Sequence, residues 1–340
     1  MTTLRPTSAQ ELAEALHAAA AAHRTILLGG NFSKDRLAGP PQPADVTIST
    51  SALNRLLQYD PRDLTISVEA GMPFAELERI LAEHRQMLPL DPGWRNQSTV
   101  GGVVGANLSG PRRRLHGTAR DMIIGMKFAT LEGKLISSGG MVVKNVAGLD
   151  MAKLLVGSFG TLAAMASVNF KVFPMPAESR TFAMHFRTAA EAFAERDRIL
   201  QSVLQPAALD IVNWPDGFRL LLGVGGNAKV LDRYAAELPE AKLVNESIWD
   251  EIREFTPLFL AANPGHFMLP IPAKFTEMAS KVDELKVPVI VRAGSGVIYA
   301  HFPQRREKLD LPGDFAMMTK VKEMFDPEHL LNRGRLYGRI

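Results

Sequence analysis

Three glycine-rich segments are the parts of the sequence where backbone groups could hold a ligand. They span residues 29–34, 92–110 and 157–162. Glycine has no side chain, so its backbone N–H group can approach a ligand closely and its φ angle can be positive. Successive N–H groups that turn inward form a concave anion site. Each segment alone could be a tight turn. Three of them, joined by strand-like sequence, predict a site for a long, flat ligand that carries phosphate.

Side chains that could react with such a ligand are few. Arg112, Arg113 and Arg114 directly follow the second glycine segment. A guanidinium group can bind a phosphate or a carboxylate through two hydrogen bonds, and a solvated loop is the alternative. Arg292 and His301 lie on predicted strands that could face the ligand or the solvent. Arg113, Arg292 and His301 are therefore the catalytic candidates, and the sequence indicates no catalytic base.

The composition excludes several kinds of site. The 340 residues include no cysteine, and the eight histidines form no i,i+4 pair. Disulfides, iron–sulfur clusters and thiolate zinc sites are thus excluded, and we predict no metal site. Any redox reaction would need a bound cofactor. The 39 basic and 36 acidic residues give a net charge of only +3, which does not favour binding to nucleic acid.

Length and hydropathy limit the organisation of the chain. No apolar run approaches the roughly 20 residues that span a bilayer, so we expect no transmembrane segment. The first residues lack a charged and then apolar signal segment, which favours a cytoplasmic protein. A chain of 340 residues exceeds the size that one core usually supports, so two or three subdomains are expected.

The first half of the sequence predicts alternating helices and strands that position the glycine segments. Ser8 and Glu11 form a capping box before a helix over 9–22, and a buried strand over 25–28 leads into segment 29–34. A strand followed by a glycine-rich polar loop is how an α/β unit holds a pyrophosphate. Further predicted elements are strands over 46–49 and 65–70, a helix over 73–85, a hairpin over 121–138, a helix over 150–157 and a strand over 163–172.

The second half begins after a boundary at Pro174 and Pro176. Its order of elements is strand, helix, strand, strand, helix, strand, which is typical of a ferredoxin-like unit. The predicted spans are 180–187, 189–204, 208–212, 218–224, 228–238 and 241–245, followed by a helix over 247–259, segments 266–270, 274–285, 289–292 and 296–302, and a helix over 317–325.

Residues 223–228 match the G-x-G-x-x-A dinucleotide fingerprint, and Glu246 follows about twenty residues later. We reject a nicotinamide site here, because the parallel repeat of a Rossmann domain is missing. A ferredoxin-like unit also needs tight turns between strand and helix. Glu246 is expected at the end of a strand.

Four longer motifs carry a family resemblance. They are residues 110–113 (GPRR), 117–121 (GTARD), 144–150 (KNVAGLD) and 157–162 (GSFGTL). Together they resemble the PCMH-type FAD-binding domain of the vanillyl-alcohol-oxidase family and, more narrowly, the FAD-binding E subunits of bacterial glycolate oxidases. The resemblance implies an α+β fold. A two-subdomain PCMH-type FAD-binding domain would span 1–174, a ferredoxin-like cap domain 175–310, and a C-terminal helix and tail over 311–340 would pack back on the FAD domain.

The resemblance also implies how the cofactor is held. FAD would bind non-covalently, since segment 29–34 lacks the histidine or cysteine that often tethers flavin, and His116 is the other candidate tether. The tail motif over 326–335 implies two more contacts. The implied cofactor-binding residues are Gly29, Gly30, Asn31, Phe32, Ser33, Lys34, Pro92, Gly93, Thr99, Val100, Gly101, Gly102, Ala106, Asn107, Gly110, Arg113, Gly117, Asp121, Gly160, Thr161, Leu162, Val168, Asn332 and Arg335.

Three positions depart from the family pattern. Phe32 adds a bulky residue to the pyrophosphate loop, Leu149 stands where tyrosine is usual, and Ser167 stands where glutamate is frequent. The change at Ser167 removes a carboxylate that the resemblance places near the edge of the flavin.

The family implies an FAD-binding subunit of a glycolate (2-hydroxy acid) oxidase complex that passes hydride or electrons through its flavin. A larger FAD-binding subunit and an iron–sulfur subunit would be its partners, in the cytoplasm or at the inner membrane through the complex. Two alternatives stay open. One is a self-sufficient FAD-dependent 2-hydroxy acid dehydrogenase. The other is a scaffold with an empty flavin site, which Phe32 and Ser167 would favour.

Overall fold

The structure is a computed structural model that describes residues 2–39, 41–141, 150–214, 216–304 and 314–338. The motif over 144–150 lies outside the described residues except for Asp150, and so does the departure at Leu149.

Helices and strands alternate along the described chain. The strands are β1 (Thr2–Leu4), β2 (Ile26–Gly29), β3 (Val46–Ser49), β4 (Leu56–Asp60), β5 (Thr65–Glu69), β6 (Gln86–Met87), β7 (Ile123–Ala129), β8 (Leu135–Gly139), β9 (Ala164–Lys171), β10 (Phe173–Pro174), β11 (Glu178–Phe186), β12 (Ala208–Val212), β13 (Phe218–Gly226), β14 (Lys242–Val244), β15 (Phe267–Pro272), β16 (Val289–Arg292) and β17 (Val297–Phe302). The helices are α1 (Ala9–Ala21), α2 (Phe74–Glu83), α3 (Val100–Gly105), α4 (Arg113–His116), α5 (Ala119–Met122), α6 (Met151–Leu155), α7 (Ala189–Gln201), α8 (Ala228–Glu237), α9 (Ile248–Ala262), α10 (Met278–Leu285), α11 (Phe315–Phe325) and α12 (Arg335–Gly338).

A small parallel sheet presents the first glycine segment. Its order is β1-β3-β2, and segment 29–34 follows the carboxyl end of β2. Helix α1 covers this sheet with Leu12 and Leu16, both fully buried. Ser8 caps α1 as predicted, because its hydroxyl accepts the N–H of Glu11. Strand β1, which precedes this helix, was not predicted from the sequence.

A five-stranded antiparallel sheet of order β4-β5-β9-β7-β8 forms the second part of the first half. Helices α2 and α3 pack on it and bury Phe74, Leu77, Val103 and Val104 in one apolar core. Burial of each such side chain stabilises the fold by about 1.5–3 kcal/mol. The second glycine segment therefore contains a helix, α3, that the glycine-rich sequence did not predict.

The second half is built on a seven-stranded antiparallel sheet of order β14-β11-β13-β12-β16-β17-β15. Its first four strands have the neighbour order of a ferredoxin-like unit, in which β13 lies between β11 and β12. Helices α7, α8 and α10 cover one face around Phe193, Leu231 and Met278. The predicted α+β fold with a ferredoxin-like cap is confirmed, and β16, β17 and β15 extend its sheet beyond four strands.

The fingerprint over 223–228 lies on β13 and the start of α8. Strand β13 is antiparallel to both neighbours, so no parallel unit surrounds these glycines. Gly223 is needed for packing, since a Cβ there would lie 3.1 Å from Cζ2 of Trp249. Glu246 lies two residues beyond β14.

The C-terminal tail returns to the first half of the chain. Val321 and Phe325 of α11 pack on the core of the five-stranded sheet, and Leu331 pairs with Ile26 as a parallel bridge beside β2. This return of the tail was predicted and is confirmed. In the described ranges, no helix has the length and apolarity that a membrane crossing requires.

Candidate functional site

The three glycine segments meet in one cleft between the parallel sheet, α3 and the tail, which we call the glycine cleft. Its volume is about 100 Å³. Gly30, Gly102 and Gly160 each come from a different segment and all lie on its wall. The complete lining is Leu28, Gly29, Gly30, Asn31, Phe32, Ser33, Lys34, Asp35, Thr50, Ala70, Thr99, Gly101, Gly102, Gly105, Ala106, Phe159, Gly160, Ala163, Met165 and Arg335.

The loop after β2 is shaped for an anion. Phe32 has a φ of 56°, and a left-handed residue within a turn directs successive N–H groups to one side. Within the described residues, no hydrogen bond engages the backbone N–H groups of residues 31–34. The ring of Phe32 folds back on Gly29, where a Cβ would lie 2.6 Å from its Cε1 atom. Phe32 is thus a wall of the cleft that requires a glycine at position 29.

The first two glycine segments are in direct contact. A Cβ on Gly30 would lie 2.2 Å from Oγ1 of Thr99. The same hydroxyl oxygen caps α3 by accepting the N–H of Gly102 at 3.2 Å. The two segments can approach this closely because Gly30 has no side chain.

The tail holds the third glycine segment in place. The Asn332 amide oxygen accepts the N–H of Leu28 at 2.7 Å, and its Nδ2 donates to the carbonyl oxygens of Leu28 and Phe159 at 2.9 and 2.7 Å. Gly160 has a φ of 68°, and a Cβ there would lie 2.8 Å from Nδ2 of Asn332. Arg335 donates to the carbonyl oxygen of Asp35 at 2.8 Å.

Lys34 is a buried amine in the wall of the cleft, which Arg335 also lines. Its Nζ donates to Oγ of Ser98 at 2.5 Å and to Oγ of Ser33 at 3.2 Å. Burial lowers the pKa of Lys34 to about 7, although Glu254 acts in the opposite direction.

A second set of charged side chains lies between the five-stranded and the seven-stranded sheet, which we call the seam. Arg292 forms an ion pair with Asp210, and both are buried. Burial raises the pKa of Asp210 to about 6, against the opposing effect of Arg292. The Arg292 guanidinium lies 5.5 Å from the ring centre of Tyr299, and Nη1 of Arg113 is 3.5 Å from the Tyr299 hydroxyl.

Two further arginine side chains of the seam approach one buried carboxylate. Asp91 is bonded by the Arg112 guanidinium and approached by Arg253 at 3.9 Å. Although burial opposes it, the Arg112 guanidinium holds the pKa of Asp91 below its usual range. Among the described residues, Oδ1 of Asp210 and Nε of Arg292 have no hydrogen-bond partner. Of these two groups, the Arg292 Nε–H is the donor that a small anion could use.

Comparison with known proteins places this geometry in a family. Residues 2–139 match the FAD-binding domain family. The chain is 32% identical to the glycolate oxidase subunit GlcE of Escherichia coli, over 97% of this chain and 98% of that protein. The chain belongs to the GlcE family. The predicted family and the predicted cofactor, FAD, are confirmed.

Other relatives match about half of this chain. The glycolate oxidase subunit GlcD of Bacillus subtilis is 29% identical over 52% of this chain and 37% of its own length. The D-lactate dehydrogenase of Anaerostipes hadrus is 28% identical over 56% of this chain and 38% of its own. A solved structure of alkyldihydroxyacetonephosphate synthase superposes with a TM-score of 0.75 at 19% identity, over 97% of this chain and 75% of that chain, which shows a shared fold.

The glycine cleft fits the diphosphate end of FAD. Its glycines leave room for a ligand where side chains would stand, the backbone N–H groups of residues 31–34 have no partner among the described residues, and Lys34 supplies an amine. The implied cofactor contacts that line it are Gly29, Gly30, Asn31, Phe32, Ser33, Lys34, Thr99, Gly101, Gly102, Ala106, Gly160 and Arg335.

The other implied contacts lie elsewhere. Pro92, Gly93 and Gly110 line a seam cavity of about 30 Å³ together with Arg292 and Tyr299. Val100, Leu162 and Val168 are buried in the core, and Asn107 is exposed. Near Gly117, the Asp121 carboxylate accepts the N–H of Thr118. The Thr161 hydroxyl donates to the Ser158 carbonyl oxygen. Asn332 bonds Leu28 and Phe159, and Arg113 reaches the Tyr299 hydroxyl.

The catalytic candidate His301 and the candidate flavin tether His116 both have structural contacts away from the glycine cleft. His301 is fully buried, its Nδ1 donates to Pro288 O at 3.2 Å and its Nε2 accepts from Thr256 at 2.8 Å. His116 borders a separate groove of about 640 Å³ and stacks edge-on against Phe173. We assign neither side chain a role in the glycine cleft.

Sequence reasoning missed several residues of the cleft. Leu28, Asp35, Thr50, Ala70, Gly105, Phe159, Ala163 and Met165 also line it. Phe159 lies in the motif over residues 157–162, so the neighbouring Gly160 could have indicated that Phe159 lines the cleft. Met165 and Ala163 belong to a buried strand region, where alternation alone does not show which face meets a ligand.

Proposed function

We propose that this chain is the FAD-binding subunit of a glycolate (2-hydroxy acid) oxidase complex, and that a larger FAD-binding subunit and an iron–sulfur subunit are its partners. The main support for this proposal is the glycine cleft, which lies in a chain that is similar to GlcE over 97% of its length. The similarity to GlcD supports a partner of that kind. An iron–sulfur partner would supply the electron relay that a chain without cysteine cannot form.

We further propose the division of the chain into an FAD-binding domain over 1–174, a cap over 175–310 and a tail over 311–340. The change of sheet between β10 and β11 supports the first boundary. The packing of α11 on the core of the five-stranded sheet supports the second.

Residues of the glycine cleft would hold the cofactor. Bound FAD supplies a two-electron acceptor, which no side chain of this protein provides. The N–H groups of residues 31–34 and the Lys34 ammonium group would hold the diphosphate. Asn332 would keep β2 and the Phe159 loop at their present separation.

The seam would bind the acid substrate. A charged donor that is shielded from water binds a carboxylate strongly. Among the described residues of the seam, the buried Nε of Arg292 is a donor without a partner. Asp210 keeps the Arg292 guanidinium oriented. This cluster favours the second candidate function, a dehydrogenase that oxidises a 2-hydroxy acid without its partners.

The absorption spectrum of the purified chain tests the cofactor. We expect a flavin band, and release of FAD, identified by its mass, after denaturation. A colourless protein that gains no band when FAD is added would refute the proposal and leave the scaffold alternative.

Anaerobic addition of glycolate then separates the two functions. Bleaching of the band only when the GlcD-type and iron–sulfur partners are present supports the subunit. Bleaching of the isolated chain supports the self-sufficient dehydrogenase. D-Lactate in place of glycolate tests whether the seam accepts a larger 2-hydroxy acid.

A further inference from the structure

Lys34 is a buried amine that contacts no carboxylate among the residues the structure describes. Its side chain is only 7% exposed, and its hydrogen bonds go to the hydroxyls of Ser33 and Ser98. The Ser98 hydroxyl donates its own proton to Trp94 O at 2.8 Å, so it serves Lys34 only as an acceptor. Lys322, which is also buried, contrasts with Lys34 because its Nζ lies 2.5 Å from Asp326.

The carboxylates near Lys34 do not form an ion pair with it in the described structure. Glu254 of α9 attracts it without an ion-pair contact in the described structure. Asp35, the next residue, accepts from Arg335 at 3.1 Å, and burial raises the pKa of Asp35 against the effect of that arginine. Burial thus favours the neutral amine of Lys34 in the free protein.

The amine lies where a diphosphate would enter. Lys34 lines the glycine cleft, and a Cβ on Gly102 would lie 3.8 Å from its Nζ. The free N–H groups of residues 31–34 belong to the same loop. An anion held by those groups would therefore bring negative charge close to a poorly solvated amine, and this favours the ammonium form.

We propose that Lys34 is the counter-charge of the cofactor diphosphate, and that the protein takes up a proton at this residue when FAD binds. The inference rests on the proposed function. The proton comes from the solvent and is held on Nζ for as long as the diphosphate is bound. FAD loading is therefore favoured by lower pH.

The expected proton uptake follows from linkage. With a pKa of about 7 in the free protein and of ~9 or more beside the diphosphate, uptake is about 0.1 proton per FAD at pH 6, about 0.5 at pH 7 and about 0.8 at pH 8. The Kd for FAD then rises about tenfold from pH 6 to pH 8.

Calorimetric titration of the flavin-free protein with FAD, in buffers of different ionisation enthalpy, measures this uptake. Lys34→Arg should bind FAD without uptake between pH 6 and 8, because arginine stays charged. Lys34→Met should bind more weakly and without uptake. The exposed Lys320→Met is the matched control and should behave as wild type. Riboflavin, which lacks the diphosphate, should bind wild type without uptake.

Several results would overturn the inference. FAD binding with equal proton uptake in wild type and Lys34→Arg would place the proton elsewhere. Uptake that falls with rising pH would point to a carboxyl group such as Asp35, and uptake with riboflavin would exclude the diphosphate as its cause. If Lys34→Met does not fold, the comparison of FAD with riboflavin on wild type decides. Failure of wild type to bind any FAD refutes the proposed function itself and the inference with it.

Discussion

Replacement of Lys322 by methionine tests how the C-terminal tail is held on the FAD-binding part. Lys322 is 1% exposed, and its Nζ donates to Thr161 O at 2.7 Å, Leu331 O at 2.9 Å and the Asp326 carboxylate at 2.5 Å. The same carboxylate accepts the N–H groups of Leu330 and Leu331. Methionine keeps most of the apolar length of lysine but removes the charge and all three donors.

The expected loss follows from what the substitution leaves behind. A buried carboxylate without its partner costs about 3–5 kcal/mol, and each carbonyl oxygen left without a donor costs about 1–3 kcal/mol more. A domain has only about 5–15 kcal/mol of stability. We therefore expect Lys322→Met to lose at least about 3 kcal/mol, with part of the loss appearing as release of the tail.

Urea unfolding measures the global loss, and limited proteolysis measures the exposure of residues 314–338. Lys320→Met, an exposed neighbour on the same helix, is the matched control. The double variant Lys322→Met/Asp326→Asn should recover part of the loss, because the buried charge is gone. Equal urea midpoints for Lys322→Met and Lys320→Met would show that this buried ion pair does not hold the tail.

Three further predictions concern the cleft, the core and the seam. Gly30→Ala should weaken FAD binding by about 1–3 kcal/mol, because its Cβ would overlap Thr99; flavin fluorescence titration against Gly140→Ala, whose Cβ meets nothing within 4 Å, checks this. Burial lowers the pKa of His301 to about 4. The neutral, buried His301 contributes fully to stability above its ordinary pKa of 6.5, and this contribution is lost progressively as pH falls from 6.5 through 4. His301→Gln should therefore reduce the loss of stability between pH 7 and pH 4.5, measured by urea unfolding, by about 2.4 kcal/mol. Arg292→Met should retain FAD but lose about 1.5–3 kcal/mol of affinity for glycolate in flavin-bleaching titrations, and unchanged bleaching would exclude Arg292 from substrate binding.

The sequence predicted most of the elements because their signals are local. The capping serine of α1 and the strand β12 over Ala208–Val212 were found from periodicity and caps alone. Helix α3 was missed because Val-Gly-Gly-Val-Val-Gly has low intrinsic helix propensity. It forms because Thr99 caps it and because Val100, Val103 and Val104 are buried in the core. Tertiary packing there overrides local preference.

Strands β1 and β4 were missed for the opposite reason. Both lie at the edge of a sheet, and the side chains of β1 and most of those of β4 are exposed. An exposed edge strand carries no alternation of apolar and polar residues, so period-two patterns cannot reveal it.

The glycine cleft shows what sequence motifs leave undetermined. Segment 29–34 has the residues of a phosphate loop, yet its position depends on residues about 300 positions away, since Asn332 bonds both backbone groups of Leu28 and Arg335 bonds the Asp35 carbonyl. Asn332 also bonds Phe159 O, so one amide side chain fixes the distance between the first and third glycine segments. The glycine cleft is therefore complete only when the tail is docked. Because a ligand that binds only the complete site stabilises every contact the site requires, FAD binding and tail docking must favour each other.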